Sequence, residues 1–202
     1  TPGVLKEALR RSKFHEKLAR CDHGRPGAKS WYGIGLSFFA HGAGFTGDGE
    51  AKFGSRAAME LGRLSNGEPA LILYASSTEM GQGAKTVLAQ MAAEGAGLPF
   101  ERVFYPLPDT KVVPDSGPTV ASRTTMVVGN ILYQAGRRMK SLLEEAASKH
   151  CFAGMPVRLE AGRFCTEGGR AQGFDAVAEV LLASAEPLRA ERTDKDKLDL
   201  PR

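Results

Sequence analysis

Residues 79–83, Glu-Met-Gly-Gln-Gly, form the first segment whose residue types could do chemistry. They lie between an apolar stretch that is typical of a strand and a predicted helix. Two glycines let backbone come close to a ligand, and the N–H groups at a helix start favour an anion. The same residues also suit a plain strand-to-helix turn in which the Glu79 carboxylate caps backbone amides. The spacing alone leaves both interpretations open.

A second such segment precedes the longest predicted helix. Thr119, Ser122, Thr124 and Thr125 place four hydroxyls close together, and Arg123 lies among them. Hydroxyls at a helix start can simply cap it. They can equally donate hydrogen bonds to an oxyanion or phosphate, and a guanidinium suits phosphate. Capping needs only one such residue, so both interpretations stay open here too.

Two other ligand-binding patterns are incomplete. A phosphate-binding loop is excluded because Ala84 separates Gly83 from Lys85 and no glycine lies at the required spacing upstream. Gly33-Ile34-Gly35 has Phe38 where the third glycine of a dinucleotide fingerprint belongs. These absences argue against an ATP-binding enzyme.

Side chains that bind metals or act as nucleophiles are scattered. The four histidines show no metal-ligand spacing, and no GxSxG elbow is present for a hydrolase triad. Cys21, Cys151 and Cys165 are too far apart in sequence for a zinc or iron–sulfur site. An odd number of cysteines fits a reducing cytosol, with buried thiols as the default, and we therefore expect a cytoplasmic protein.

The apolar pattern predicts the elements that position the two segments. The order of elements predicts an α+β (mixed α/β) fold, in which β-hairpins and strands are layered with helices. The Asn66-Gly67 dipeptide suits the tight turn of the first hairpin. Predicted helices cover 4–20, 84–96, 121–149 and 174–185; predicted strands cover 31–40, 51–64, 69–76 and 102–107, with a second hairpin over 157–166 and loops over 22–30, 41–49 and 108–118.

Charge and hydropathy exclude several classes of protein. The net charge is +4, and basic and acidic residues are spread along the chain, which argues against nucleic acid as a partner. No apolar run is long enough to cross a membrane, and the first twenty residues are too charged for a signal peptide. The dense mixed charges of residues 189–202 predict a tail, or a linker cut from a longer protein.

The ordered pair of segments resembles the molybdopterin-binding large subunit of the xanthine dehydrogenase and aldehyde oxidoreductase family of molybdenum hydroxylases. Residues 79–83, followed by Thr86 and Gln90, are similar to that family's E-x-G-Q-G segment. Residues 118–124, Pro-Thr-Val-Ala-Ser-Arg-Thr, are similar to its P/G-T-x-x-S-x-S/T segment. The resemblance runs over roughly residues 30–185 and is strongest over 55–145.

The resemblance implies that both segments line the molybdopterin cofactor. The implied cofactor-binding residues are Met80, Gly81, Gln82, Gly83, Thr119, Val120, Ala121, Ser122, Arg123 and Thr124. The dithiolene sulfurs of the cofactor would hold the molybdenum, so no residue of this chain is expected to bind the metal directly. Arg123 matches a bacterial subset, whose cofactor often carries a cytosine nucleotide; its extra phosphate would give Arg123 a partner.

The same resemblance implies an activity and partners. Family members oxidatively hydroxylate a purine-like N-heterocycle or an aldehyde with water, and pass electrons to iron–sulfur and FAD subunits or domains. Their glutamate base lies in a C-terminal G-x-G-E segment; here residues 47–50 match those letters but precede the cofactor segments. We therefore expect no catalytic residue in this chain, which would be a partial large subunit and inactive in isolation. The alternative is a non-catalytic small-molecule or partner-binding domain with glycine-rich turns.

These considerations divide the chain into three parts. Residues 1–29 are an N-terminal helix and linker, 30–187 a segment of the molybdopterin-binding domain, and 188–202 the charged tail or linker. We further expect the two segments to face one cleft, with Gly81 and Gly83 outside ordinary helical or strand angles.

Overall fold

A computed structural model describes residues 2–21, 27, 30–39, 53–120, 122–184 and 186–196. The chain forms two compact units, Thr1–Ala43 and Gly44–Arg202. The division falls later than the boundary that the sequence predicts after residue 29. Most of the predicted loop 22–30 and all of the glycine-rich stretch 41–49 lie outside the described residues.

The first unit contains two short helices, α1 (Pro2–Arg11) and α2 (Phe14–Ala19), neither of which has a buried residue. The single helix predicted over 4–20 is interrupted at Lys13, whose φ of 51° is left-handed. The predicted buried strand 31–40 is wrong over residues 31–39, which have no regular secondary structure and are mostly exposed. Apolar composition favours burial, but a strand also needs a neighbour for its N–H and C=O groups.

The main sheet of the second unit contains the strands β1 (Arg56–Arg63), β2 (Pro69–Tyr74), β3 (Val103–Phe104) and β7 (Arg189–Thr193). Their order across the sheet is β3-β2-β1-β7. Strands β1 and β2 form the predicted antiparallel hairpin, and β3, shorter than predicted, runs parallel to β2. Gly67 occupies the hairpin turn with a φ of 88°, and the Asn66 Oδ1 accepts a hydrogen bond from the Glu68 amide.

Strand β7 corrects the prediction of a charged tail from residue 188. Residues Arg189–Thr193 pair antiparallel with β1, and Ala190 is buried between the sheet and the helices. An edge strand carries charged side chains on its solvated side, and these oppose aggregation. Its composition is therefore close to that of a solvated tail, although Ala190 faces the core.

Two helices cover one face of this sheet. Helix α3 (Ala84–Ala96) has the predicted bounds and ends at Gly97, whose φ is 66°. The long helix begins with a π-helix, Thr124–Gly129, and continues as α4 (Asn130–Cys151), where the sequence predicts one helix over 121–149. The core between these helices and the sheet contains the fully buried side chains of Met59, Leu71, Leu88, Leu132 and Met139.

The crossing of α3 and α4 is unusually close because glycines lie at the contact. A Cβ added to Gly136 would lie 2.6 Å from the Ala92 carbonyl oxygen and 2.8 Å from the Ala96 amide nitrogen. A Cβ added to Gly95 would meet the Tyr133 carbonyl oxygen at a still shorter distance. Only glycine allows the two backbones to come so close, and these contacts therefore set the distance between α3 and α4 at their crossing.

A smaller sheet completes the unit. Its strands β4 (Arg158–Glu160) and β5 (Arg163–Cys165) form the predicted second hairpin, with Gly162 in the turn. Strand β6 (Ala171–Gly173), which the sequence does not predict, pairs with β5 and leads into α5 (Phe174–Ala183). These layers of helices and sheets confirm the α+β class. Among the described residues, no helix has the length and apolar character needed to span a membrane.

Candidate cofactor site

The two glycine- and hydroxyl-bearing segments meet in one cleft. The Thr78 amide donates a hydrogen bond of 2.9 Å to the Thr119 Oγ1 and so joins the first segment to the second. The cleft has a volume of about 440 Å³. It is lined by Met80, Gln82, Ala84, Val87, Thr119, Val120, Ser122, Thr124, Thr125 and Met126.

The glycines of the first segment adopt left-handed backbone angles. The φ values are 98° at Gly81 and 79° at Gly83. A Cβ added to either residue would meet no atom of the chain within 4 Å. Both glycines therefore present bare backbone to open space, where a ligand can approach closely.

Glu79 caps the start of α3. Its carboxylate accepts hydrogen bonds from the amides of Gly81 (2.7 Å), Gly83 (3.1 Å) and Lys85 (3.0 Å). The Lys85 amide is the main cause of a Glu79 pKa below its usual value, and the other two amides lower it further. Of the two interpretations that the sequence leaves open for this helix start, the structure supports capping by the chain's own carboxylate.

Gln82 braces the same turn from the other side. Its Oε1 accepts a hydrogen bond of 2.6 Å from the Met80 amide, and its Nε2 donates one of 2.7 Å to the Thr78 carbonyl. The turn is therefore held by its own side chains, with Met80 69% exposed at the cleft.

A pair of serines fastens the two segments together beneath the cleft. The Ser76 amide donates to the Ser116 Oγ (2.9 Å), and the Ser116 amide donates to the Ser76 Oγ (2.8 Å). The Ser116 hydroxyl also donates to the Arg56 carbonyl (2.8 Å), and Ser116 is fully buried. This reciprocal serine pair joins the end of β2 to the loop that carries the second segment.

Tyr105 supports the strand end from which the first segment departs. Its hydroxyl donates to the Ala75 carbonyl at 2.9 Å, and the Ser77 carbonyl lies 3.2 Å away. Burial raises the pKa of Tyr105 to about 12. Neither Tyr105 nor Ser116 is distinguishable by sequence pattern from an ordinary core or loop residue.

Arg123 lies inside the protein and not in the cleft, which corrects its prediction as a phosphate ligand. Its side chain is 2% exposed. The guanidinium donates to the carbonyls of Ser116 (2.9 Å) and Pro118 (3.0 Å) and to the Ser55 hydroxyl. The physical reason is that the loop turns its carbonyl oxygens inward, and a guanidinium satisfies several of them at once.

The remaining predicted residues of the second segment lie at or near the cleft. Thr119, Ser122 and Thr124 line it, and Val120 is 47% exposed on its rim. Ser122 has a left-handed φ of 61°. Ala121 lies outside the described residues. The sequence prediction omitted Ala84, Val87, Thr125 and Met126, of which Thr125 already belonged to the hydroxyl cluster.

A second, larger groove of about 620 Å³ is lined by residues of α3, α4 and the end of β7, and it shares no lining residue with the cleft. Its side chains carry both charge signs, and the Glu144 carboxylate in it already accepts the Leu159 amide. In the described part of the chain, no three His, Cys, Asp or Glu side chains are grouped to hold a metal ion. The three cysteines are free and partly exposed, whereas the sequence suggested buried thiols.

The role of Glu79 predicts a pH dependence. Because its folded pKa is below its ordinary value of 4.5, the capping carboxylate contributes stability in full above pH 4.5. That contribution is lost as the pH falls through the folded pKa. We expect Glu79→Gln to lower the melting temperature at pH 7, and the difference from the parent to shrink on acidification. Thermal melts at pH 7 and at an acidic pH test this. The control is Glu145→Gln, at an exposed position on α4. A gap that widens in acid would contradict the cap.

Comparisons with known proteins identify the family of this chain. A sequence model of the molybdopterin cofactor-binding domain matches residues 7–199. The chain is 33% identical over 102 residues to xanthine dehydrogenase 1 of Arabidopsis thaliana, which covers 50% of the chain and 8% of the relative. It is 27% identical over 140 residues to the xanthine dehydrogenase molybdenum-binding subunit of Escherichia coli O157:H7, covering 69% and 18%.

Solved structures show the same fold. Quinoline 2-oxidoreductase from Pseudomonas putida 86 superposes with a TM-score of 0.53 at 22% identity, over 70% of this chain and 19% of that one. The Cu,Mo-CO dehydrogenase gives a TM-score of 0.52 at 21% identity, over 69% and 18%. The chain thus spans only a small part of the proteins it matches. The match of the domain model over nearly the whole chain shows that this protein belongs to the molybdopterin cofactor-binding domain family.

Proposed function

We propose that the cleft between residues 79–87 and 119–126 holds part of the molybdopterin cofactor. The observation that carries this proposal is the meeting of two sequence-distant segments in one open cleft, beside two left-handed glycines. The cap that Glu79 forms uses both glycine amides, but it does not need the row of hydroxyls on the facing segment.

The chemistry of the lining fits such a cofactor. The hydroxyls of Thr119, Ser122, Thr124 and Thr125 offer donors and acceptors to the polar edge of a pterin and to its phosphate. Four apolar side chains, Met80, Val87, Val120 and Met126, provide surface for a flat ring. Gly81 and Gly83 leave room for close contact with backbone. The cofactor's dithiolene sulfurs, and no side chain of this chain, would hold the metal.

The whole protein would then be a molybdenum hydroxylase. When bound, the cofactor supplies the oxidative hydroxylation of a purine-like N-heterocycle or an aldehyde with oxygen from water. This chain's residues bind and orient it and exclude water from one side. The xanthine dehydrogenase relatives support this reaction class. We assign no catalytic residue to this chain.

The remaining assignments extend this proposal. The partners would be the rest of the large subunit and iron–sulfur and FAD subunits or domains, in a bacterial, cytoplasmic enzyme with no nucleic-acid or membrane partner. The cytosine dinucleotide form of the cofactor is the alternative to plain molybdopterin. The sequence favoured that form because its extra phosphate would pair with Arg123, and the buried position of Arg123 removes this argument.

The cofactor site is tested by two matched glycine substitutions. Gly81→Ala and Gly67→Ala both place an alanine at positive φ with no atom of the chain within 4 Å, so their backbone strain is similar. Only Gly81 adjoins the cleft. We expect Gly81→Ala to lower molybdenum and pterin per polypeptide by about 10-fold or more, in the whole protein made by a molybdopterin-producing host. Gly67→Ala should leave both contents unchanged, and equal losses in the two variants would refute the site.

The same preparation separates the enzyme from the alternative. A non-catalytic binding domain would purify without molybdenum. A hydroxylase would carry it and oxidise hypoxanthine or an aldehyde with an artificial electron acceptor. We expect the 202-residue chain alone to be inactive, because removal of a general base alone commonly costs about 10²–10⁴-fold in rate.

A further inference from the structure

The long helix changes its phase at its first turn. The π-helix Thr124–Gly129 runs directly into α4. A π-helix bonds residues five apart where an α-helix bonds residues four apart, so the turn holds an extra residue. One residue of α-helix corresponds to about 100° of rotation. The residues before this turn therefore face directions that differ from those that α4 would impose.

The burial of individual residues reveals this change. Val128 is 1% exposed and belongs to the buried face of the helix. In an uninterrupted α-helix, Thr124 and Thr125 would lie on that same face, because residues three and four apart are neighbours. Arg123, five residues before Val128, would lie about 140° away and point to solvent. The structure shows the reverse, since Arg123 is 2% exposed and Thr125 is exposed in the cleft.

Both ends of the widened turn are fixed by tertiary contacts. At its start, the Arg123 guanidinium bonds the Ser116 and Pro118 carbonyls. At its end, Gly129 lies against the Met91 sulfur of α3, so closely that a Cβ there would collide with it. The close contacts of Gly136 hold the following turns of α4. The extra residue thus lies between two positions, Arg123 and Gly129, that tertiary contacts hold in place.

We propose that Arg123 is a positioning residue that holds the π-turn and thereby keeps Thr124 and Thr125 facing the cofactor cleft. It acts through the backbone and does not touch the cofactor. The identity of the ligand rests on the proposed function, whereas the geometry of the turn does not.

The consequence of losing the guanidinium follows from the same contacts. Without it, two inward-facing carbonyls lose a charged donor, and nothing then ties residue 123 to the loop through its side chain. The turn can relax to α-helical bonding, which rotates Thr124 and Thr125 by about 100° towards the core. The cleft loses two of its four hydroxyls, although neither threonine has been altered.

The first test measures cofactor content. Arg123→Met in the whole protein, produced with molybdopterin, is expected to contain about 10–100-fold less molybdenum and pterin, as is usual when a supporting residue is lost. Arg138→Met, on the exposed side of α4, is the matched control and should retain the parent content. A parent-like content in Arg123→Met would overturn the proposal.

A deletion provides the decisive second variant. Removing Met126 takes the extra residue out of the turn, so that the turn can form α-helical hydrogen bonds. Thr124 and Thr125 keep their directions, because the residues on the two sides of the turn already differ by one position from α-helical phase. Deletion of Met126 in the Arg123→Met background should therefore restore cofactor content to the level of Met126→Ala alone. A direct cofactor contact by Arg123, or a purely structural role, predicts no restoration, and that result would overturn the proposal.

A cofactor-free measurement separates this proposal from the proposed function. Thr125→Cys, in protein made without molybdopterin, should react rapidly with a thiol reagent, as read by peptide mapping. Adding Arg123→Met should slow the reaction about 10-fold or more, since a buried site reacts only on opening, and deleting Met126 should restore it. Unchanged labelling overturns the positioning role even where the parent binds cofactor. A parent without cofactor refutes the proposed function and leaves the labelling result valid.

The deletion also decides the matter if Arg123→Met does not fold. In a chain that keeps Arg123, the Met126 deletion combined with Thr125→Cys should fold and be labelled rapidly, because the residues on both sides of the turn keep the faces that they have in the parent. Slow labelling there would overturn the proposal.

Discussion

Gly95→Ala and Gly136→Ala are each expected to lower the free energy of unfolding by about 3 kcal/mol or more. Glycine to alanine inside a helix ordinarily stabilises by about 1 kcal/mol, so the expected sign is opposite to helix propensity. The reason is that each new Cβ would collide with backbone of the other helix, at the Tyr133 carbonyl for Gly95 and at Ala92 and Ala96 for Gly136. Backbone cannot rotate aside as a side chain can.

Thermal and denaturant unfolding of the purified protein measures this effect. A loss of 3 kcal/mol corresponds to a fall in melting temperature of about 6–12 °C for a domain of this size. Gly3→Ala is the helical control, because a Cβ at Gly3 in α1 meets no atom within 4 Å. If Gly95→Ala and Gly136→Ala are as stable as Gly3→Ala, the helices do not cross as closely as described.

Ser116→Ala is expected to cost about 2 kcal/mol of stability, with a coupled loss of cofactor. The substitution removes the acceptor of the Ser76 amide and the donor to the Arg56 carbonyl at a fully buried position. Because the serine pair joins the two cleft segments, its loss loosens their relative placement as well as the fold. Ser65→Ala, exposed near the hairpin turn, should be close to neutral.

A double-mutant cycle with Ser76→Ala isolates the reciprocal pair. Each single variant removes one of the two bonds, in which the hydroxyl of one serine accepts from the backbone amide of the other. Because the first loss already loosens the approach that the second bond needs, the double variant should lose less stability than the sum of the single variants, by about 0.5–1 kcal/mol or more. Strict additivity would mean that the serines act independently, and that something else sets the spacing of the segments.

The parts of this fold that could be predicted from sequence are those with local signals. Asn66-Gly67 marks the first hairpin, and Gly97 marks the end of α3, whose bounds agree residue for residue. The pair of cleft segments could be found because glycines and hydroxyls crowd there beyond what capping needs. These features depend on neighbours in sequence, which a pattern can report.

The parts that could not be predicted depend on contacts distant in sequence. The phase change at Thr124–Gly129 depends on Arg123 and Gly129, which different elements hold. The apolar periodicity begins only at Val127, so no apolar repeat before the turn reports the change. The sequence also predicted Arg123 as a phosphate ligand, because the contacts that bury its side chain could not be seen from its neighbours in sequence. The edge strand β7 was missed because its charges match those of a tail, while its pairing with β1 depends on residues about 130 positions earlier.

The pairing of β1 with β7 has a consequence during synthesis. Residues 56–60 hydrogen-bond to residues 189–193, while the β1–β2 hairpin and the helices that cover it are complete in sequence long before. At ordinary rates of translation, the ribosome needs on the order of ten seconds to add the residues between the end of β2 and the end of β7. Throughout that interval one edge of β1 has unsatisfied N–H and C=O groups, which can pair with another strand. We therefore expect the nascent chain to be most prone to strand-to-strand aggregation, and most dependent on chaperones, after α4 has emerged and before residue 193 has.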